Sequence, residues 1–139
     1  MNAYEYLKEI GKLLIGIKGI KSLKIGLEPN ISPSDYPIIR IVPNEIRLSD
    51  DFDLWASDIS FSVYFGAQLH EKIGLEKIYE QLYALEYEIK ERLHNSQFEP
   101  NDDKTRGGGI CRFIATKDDG DTLKNFKILV SEFELKGGR

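Results

Sequence analysis

The sequence predicts an α+β fold: a mainly antiparallel sheet with element order α-β-β-β-α-β-β and the helices packed on one face. Three observations predict it. Between Trp55 and Phe65, Trp55, Ile59, Phe61, Val63 and Phe65 hold odd positions against Ala56, Asp58, Ser60, Ser62 and Tyr64, with only Ser57 interrupting the apolar row. That period of two describes a long, half-buried strand. Second, Leu75, Ile78, Leu82, Leu85, Ile89 and Leu93 recur at spacings of three and four, the stripe of an amphipathic helix. Third, the Asp119–Gly120 pair separates two strand-like runs and signals a hairpin.

Each element follows in order. Residues 3 to 15 read as a helix with Asn2 as N-cap, since Tyr6, Ile10, Leu13, Leu14 and Ile17 share a face while Glu5, Lys8, Glu9 and Lys12 lie outside. Gly11 weakens this helix and Gly16 stops it. SLKIGLE alternates Leu23, Ile25 and Leu27 with Lys24 and Gly26, which predicts a strand. The turn-rich stretch EPNISPSDYP leads to a second strand, IIRIV, closed by Pro43, with an extension through Ile46 and Leu48. The long alternating strand is next.

The main helix spans 71 to 94. Glu86–Lys90 and Glu88–Arg92 are i,i+4 pairs, and acidic residues at its start give way to basic ones at its end. Residues 95 to 105 form a polar loop. GICRFIATK and LKNFKILVSEFELK are the last two strands. In the second of them Phe126, Ile128 and Val130 share one face but Phe133 and Leu135 the other, so a bulge or a change of burial is expected near Ser131. The sheet becomes a meander of three strands plus a hairpin, in a single domain covering residues 1–139.

A chain of 139 residues buries roughly 70% of its unfolded surface, enough to fold without staples. One cysteine excludes an intrachain disulfide. There is neither an apolar run near 18 residues nor a signal-peptide pattern, so a soluble protein of the reducing cytoplasm is expected. The net charge of −4 argues against tight binding of duplex DNA. Charge is uneven: five lysines (Lys8, Lys12, Lys18, Lys21, Lys24) face only Glu5 and Glu9 at the start, and acidic residues prevail afterwards. This is either a solvated surface or a self-complementary one suited to head-to-tail assembly.

The chemistries thin out on inspection. Arg106 with Gly107, Gly108 and Gly109 could cradle a phosphate, but these glycines follow a loop and open a strand, the reverse of a phosphate loop. They read as a supple lead into the strand, or as a segment ordered on docking. His70 and His94 lie at opposite ends of the main helix, roughly 36 Å apart at 1.5 Å per residue. Cys111 alternates with Phe113 and Ala115 and reads as buried and inert. Asp50, Asp51 and Asp53 form an acidic surface loop, or a loose cation site shared between subunits. No cofactor and no metal is expected, and no catalytic residue is assigned. Tyr79, Tyr83 and Tyr87, every four residues, flank the core or form an interface stripe; Trp55 is a core residue or an interface anchor.

The order of elements resembles that of the tail terminator, or tail-completion, proteins of long-tailed bacteriophages and prophages. The likeness runs through the opening helix, YPIIRIVP, DISFSVYFG, IGLEKIYEQLYALEYEIKERL and the closing ILVSEFEL. It implies a non-enzymatic protein of the virion tail, assembled in the bacterial cytoplasm. Such a protein forms a six-membered ring with copies of itself, caps the tail tube protein, ends its polymerisation, and meets the head–tail connector. DNA would pass through the channel without tight binding, which an acidic lining favours. The interface candidates are then Lys21, Lys24, Asp50, Asp51, Asp53, Trp55, Tyr79, Tyr83, Arg106, Gly107, Gly108 and Gly109. The alternatives are a small ligand-binding or regulatory α+β domain, with a pocket between sheet and main helix, and an enzyme using carboxylates alone, Asp58 with a neighbour.

Overall fold

The structure is a computed structural model that describes residues 3–26, 37–48, 57–69, 74–98, 109–118 and 126–138. Among these residues two helices, α1 (Ala3–Leu14) and α2 (Leu75–Leu93), accompany six strands: β1 (Ser22–Ile25), β2 (Ile38–Leu48), β3 (Ser57–Gln68), β4 (Gln97–Phe98), β5 (Gly109–Asp118) and β6 (Phe126–Gly138). They form one sheet in the order β1-β2-β3-β6-β5-β4. All pairs are antiparallel except β1–β2. The α+β class and the mainly antiparallel sheet are thus as the sequence predicts.

The alternation in β3 fixes where the core lies. Ile59, Phe61, Val63 and Phe65 are buried on one face, beside Ile39 and Ile41 of β2 and Leu129, Phe133 and Leu135 of β6. Phe61 and Phe133 are cross-strand partners whose rings stack at a centroid distance of 5.5 Å. Onto this face α1 lays Tyr6, Leu7, Ile10 and Leu14, and α2 lays Ile78, Leu82, Ile89 and Leu93. Burying each such side chain removes apolar surface worth about 1.5–3 kcal/mol. Gly11 has a packing reason: a Cβ there would come within 3.3 Å of Leu23 and 3.6 Å of Ile41. Its absence lets α1 approach β1 and β2 closely. Gly16, at φ +90°, ends that helix as predicted.

Several expectations are corrected. β1 and β2 pair in parallel rather than as a meander hairpin, with Ser22 opposite Ile38 and Ile25 opposite Ile41. The stretch between Ile25 and Ile38 is about the dozen residues that a crossover needs. β1 stops at Ile25 because Gly26 turns to φ +92°. Pro43 does not close β2; the strand runs on past it through a register shift between Pro43 and Glu45. A bulge tolerates a residue without an N–H. Asn44, the extra residue, donates from Nδ2 to Ser62 Oγ at 2.7 Å.

The irregularity expected in the last strand lies in its partner. β6 pairs with β5 through a shift between Phe113 and Ala115, which makes Ile114 the extra residue and leaves it 53% exposed. Beyond it Thr116 and Asp118 turn toward the helix side. The two-residue β4 lies inside the segment predicted to be a loop. Leu13 and Leu75, expected inside, are exposed.

The face away from the helices is also covered. Ile38, Arg40, Asp58 and Ser62 point to that side and are buried, and Val130 joins them. This explains why Phe126, Ile128 and Val130 form an apolar row opposite Phe133 and Leu135.

Candidate functional site

The exposed side of α1 balances Lys8 and Lys12 against Glu5 and Glu9, and the excess positive charge follows it, at Lys18, Lys21 and Lys24. Lys8 sits over the Tyr4 ring, 5.7 Å from its centroid, and Lys12 bonds Glu9 at 2.8 Å. Lys21 is exposed next to β1, its N–H donating to Pro37 O at 2.9 Å. Lys24 is half-buried within β1, in register with Arg40. Of the twelve interface candidates, Asp50, Asp51, Asp53, Trp55, Arg106, Gly107 and Gly108 lie outside the described residues. Gly109 is buried, opens β5 and pairs with Phe98.

The three tyrosines of α2 divide into two roles. Tyr79 belongs to a polar rivet that fastens α2 to the sheet. Its hydroxyl donates to Asp118 Oδ2 at 3.3 Å, while Lys127 Nζ reaches Asp118 Oδ1 at 2.8 Å and lies 5.4 Å from the Tyr79 ring centroid. Hydrogen bonds to Asp118 and then Tyr79 hold the Lys127 ammonium well above its ordinary pKa. One turn on, Tyr83 stacks on Tyr79 at 6.1 Å but is 52% exposed, and Tyr87 is 58% exposed. A hydrogen bond to Glu91, and that carboxylate's charge, raise the Tyr87 phenol above its usual pKa. Flanking core therefore describes Tyr79, whereas Tyr83 and Tyr87 form an open aromatic strip among Glu80, Glu88 and Glu91.

The predicted i,i+4 pairs both form: Glu86–Lys90 at 3.2 Å and Glu88–Arg92 at 3.0 Å. Each has a second task that spacing alone could not show. Glu86 Oε1 accepts from Thr116 Oγ1 at 3.1 Å, and Lys90 lies over the Phe113 ring at 4.9 Å, so this pair faces β5. Arg92 Nη1 donates to Leu13 O and Ile15 O, both at 3.1 Å. It caps the last carbonyls of α1 from another helix.

A cavity of about 650 Å³ opens between the loop after α1, the end of β3 and the inner side of α2. Gly16, Ile17, Ile20, Ala67, Leu82 and Leu85 give it a mostly apolar lining. Its polar rim includes Glu88 and Arg92, which are already engaged with each other and with the end of α1.

The groups considered for catalysis are set in structural surroundings. Burial pushes the Cys111 thiol up to about 12, partly offset by a hydrogen bond involving Ser96, so it is protonated at neutral pH and a poor nucleophile. His94 Nδ1 accepts the Phe113 N–H at 3.0 Å, which makes the imidazole a bridge from the end of α2 to β5. Asp58 is buried, with Lys136 Nζ 3.9 Å away and Arg47 opposite it in register. Among the described residues no three of His, Cys, Asp and Glu gather as metal ligands, and no helix is long and apolar enough to cross a membrane.

No protein-family model matches the chain, and no curated protein does. Among solved structures the chain is similar to one in the virion of a native gene transfer agent particle. That match has a TM-score of 0.50 at 11% identity and covers 96% of this chain and 89% of the other. At this identity it is the fold that the two chains share.

Proposed function

We propose that the protein is a non-enzymatic structural component of a phage-like particle, and within that class a tail terminator. The observation that carries the reading is the fold shared with a gene transfer agent virion chain over nearly the whole length of both. The element order supports the same family. In this reading copies of the chain form a closed ring, six-membered by analogy with the family. The ring ends tail-tube growth and joins the tube to the head connector, and DNA passes through the channel without being held.

Two surfaces suit head-to-tail contact. One is basic, made by the turn after α1 and the approach to β1, where Lys18 and Lys21 are exposed. The other is the acidic, aromatic strip of α2 with Tyr83, Tyr87, Glu80 and Glu91. A heterologous interface needs two such unlike patches, and opposite charge sets their register. Native mass spectrometry and negative-stain imaging of the purified chain, alone and with a tail tube protein, test the proposal. Closed rings are expected; a chain that stays monomeric in both conditions at high concentration would sink it.

The cavity favours one second reading, a small ligand-binding domain. Its apolar lining suits an apolar metabolite. A saturable thermal shift with such compounds, in a protein that forms no rings, would replace the first reading with this one.

A further inference from the structure

The side chain of Arg40 is 2% exposed, on the sheet face away from the helices. One corner of its guanidinium is engaged: Nη1 donates to Gly26 O at 3.1 Å. Nε and Nη2 are buried and, among the described residues, have no hydrogen-bond partner. These two nitrogens form one edge of the planar group, and their N–H bonds point the same way. That edge is the fork that matches the two oxygens of a carboxylate. A buried cation with an unpartnered bidentate edge is a costly core residue, and a carboxylate brought against that edge would offset the cost. The sequence surrounds it suitably: Lys24 of β1 and Tyr64 of β3 stand directly beside it in register, a second positive charge and a hydroxyl on the same face.

We propose that Arg40 is the anchor of a carboxylate-binding site on the second face of the sheet. The carboxylate occupies the Nε–Nη2 edge, and Nη1 stays on Gly26, which fixes the plane of the fork. The group comes either from a free small carboxylate or from a side chain of a second copy of this chain. This goes beyond the ring reading and does not depend on it.

The test is thermal unfolding of the native chain, Arg40→Met and Arg40→Lys, in sodium acetate and in sodium chloride at matched ionic strength, at low and high protein concentration. A free carboxylate as ligand raises the native midpoint in acetate by about 3 °C or more. A carboxylate from a second copy raises it with protein concentration instead. Arg40→Met, relieved of an unpaired buried charge, should melt at or above the native midpoint in dilute chloride and respond to neither. Arg40→Lys keeps the charge without the fork and should lose most of the response. Equal responses from native protein and Arg40→Met, or no response from the native protein, overturn the site. A ring built through other surfaces would persist in Arg40→Met, so failure here leaves the ring reading standing.

Discussion

The two faces of the sheet are buried by different means. Under the helices, Ile41, Val63, Phe61, Phe133 and Leu135 form a close-packed apolar layer, with Ser131 and Lys127 buried at its margin toward β5. On the other side Arg40, Asp58 and Ser62 are equally hidden beside Ile38 and Val130, so polar groups make up much of what is buried there. Apolar burial supplies stability without direction. Polar burial adds little net stability and demands specific partners. The helix face therefore explains why the chain folds, and the second face, with the outer strip of α2, is where recognition is to be sought.

Substitutions can break or sharpen this division. The largest effect is expected from Phe133→Ala, which empties a position stacked on Phe61 and edge-on to Phe113. Chemical denaturation should show a loss of about 3–5 kcal/mol. A loss below about 1 kcal/mol would mean that the apolar layer does not carry the fold. Next comes Arg92→Ala, which removes the donor to the Leu13 and Ile15 carbonyls at the end of α1. A cost of about 1–2 kcal/mol is expected, with faster amide exchange confined to the end of α1. Lys12→Ala, which breaks only a surface pair, should change stability by less than about 0.5 kcal/mol.

Alkaline pH gives a third measurement. Both Cys111 and Lys127 have raised pKa values in the fold, so each contributes stability that is complete below its ordinary value and fades as pH rises. For Cys111 the window runs from 9.0 toward about 12. For Lys127 it begins near 10.5. Stability should be level from pH 7 to 9 as far as these groups act, then decline. Cys111→Ala should remove the part that begins at pH 9, and an unchanged decline in that variant would show that the thiol is not the cause. The smallest effect on the folded monomer is expected at Tyr83→Ala and Lys21→Glu, within about 0.5 kcal/mol. These are the substitutions expected to weaken ring assembly, by native mass spectrometry. Intact assembly in both would return those surfaces to ordinary solvation.

Much of the fold was legible because its signals are local. The alternation of β3 and the stripe of α2 each show a buried face without reference to anything distant, and Gly16 stops α1 by its own backbone freedom. What stayed hidden is non-local. The direction of β1 depends on which edge of β2 it meets, and SLKIGLE contains nothing that states it. The β6 pattern did reveal two apolar faces, but the bulge that accommodates β6 sits at Ile114 of its neighbour. The functional surfaces divide similarly. Spacing placed Tyr79, Tyr83 and Tyr87 on one flank, yet only Asp118 and Lys127, far along the chain, separate the riveted tyrosine from the open ones. Arg92 looked like half of an ion pair, and Arg40 like one polar residue within an apolar strand.

The margins of the sheet carry a last consequence. β1 covers only Ile38–Ile41 of β2, and β4 covers only Gly109 and Ile110 of β5. Among the described residues, the remaining lengths of both border strands lack a neighbour on their outer side. Such rims invite indefinite stacking into fibres. Here each is interrupted: one by Pro43 and the Asn44 kink, followed by Glu45 and Arg47, the other by the Ile114 kink between Arg112 and Lys117. Kinks of this kind make these stretches poor templates for a further strand, which leaves side-chain contacts, whose geometry can close, as the favoured way for copies to meet.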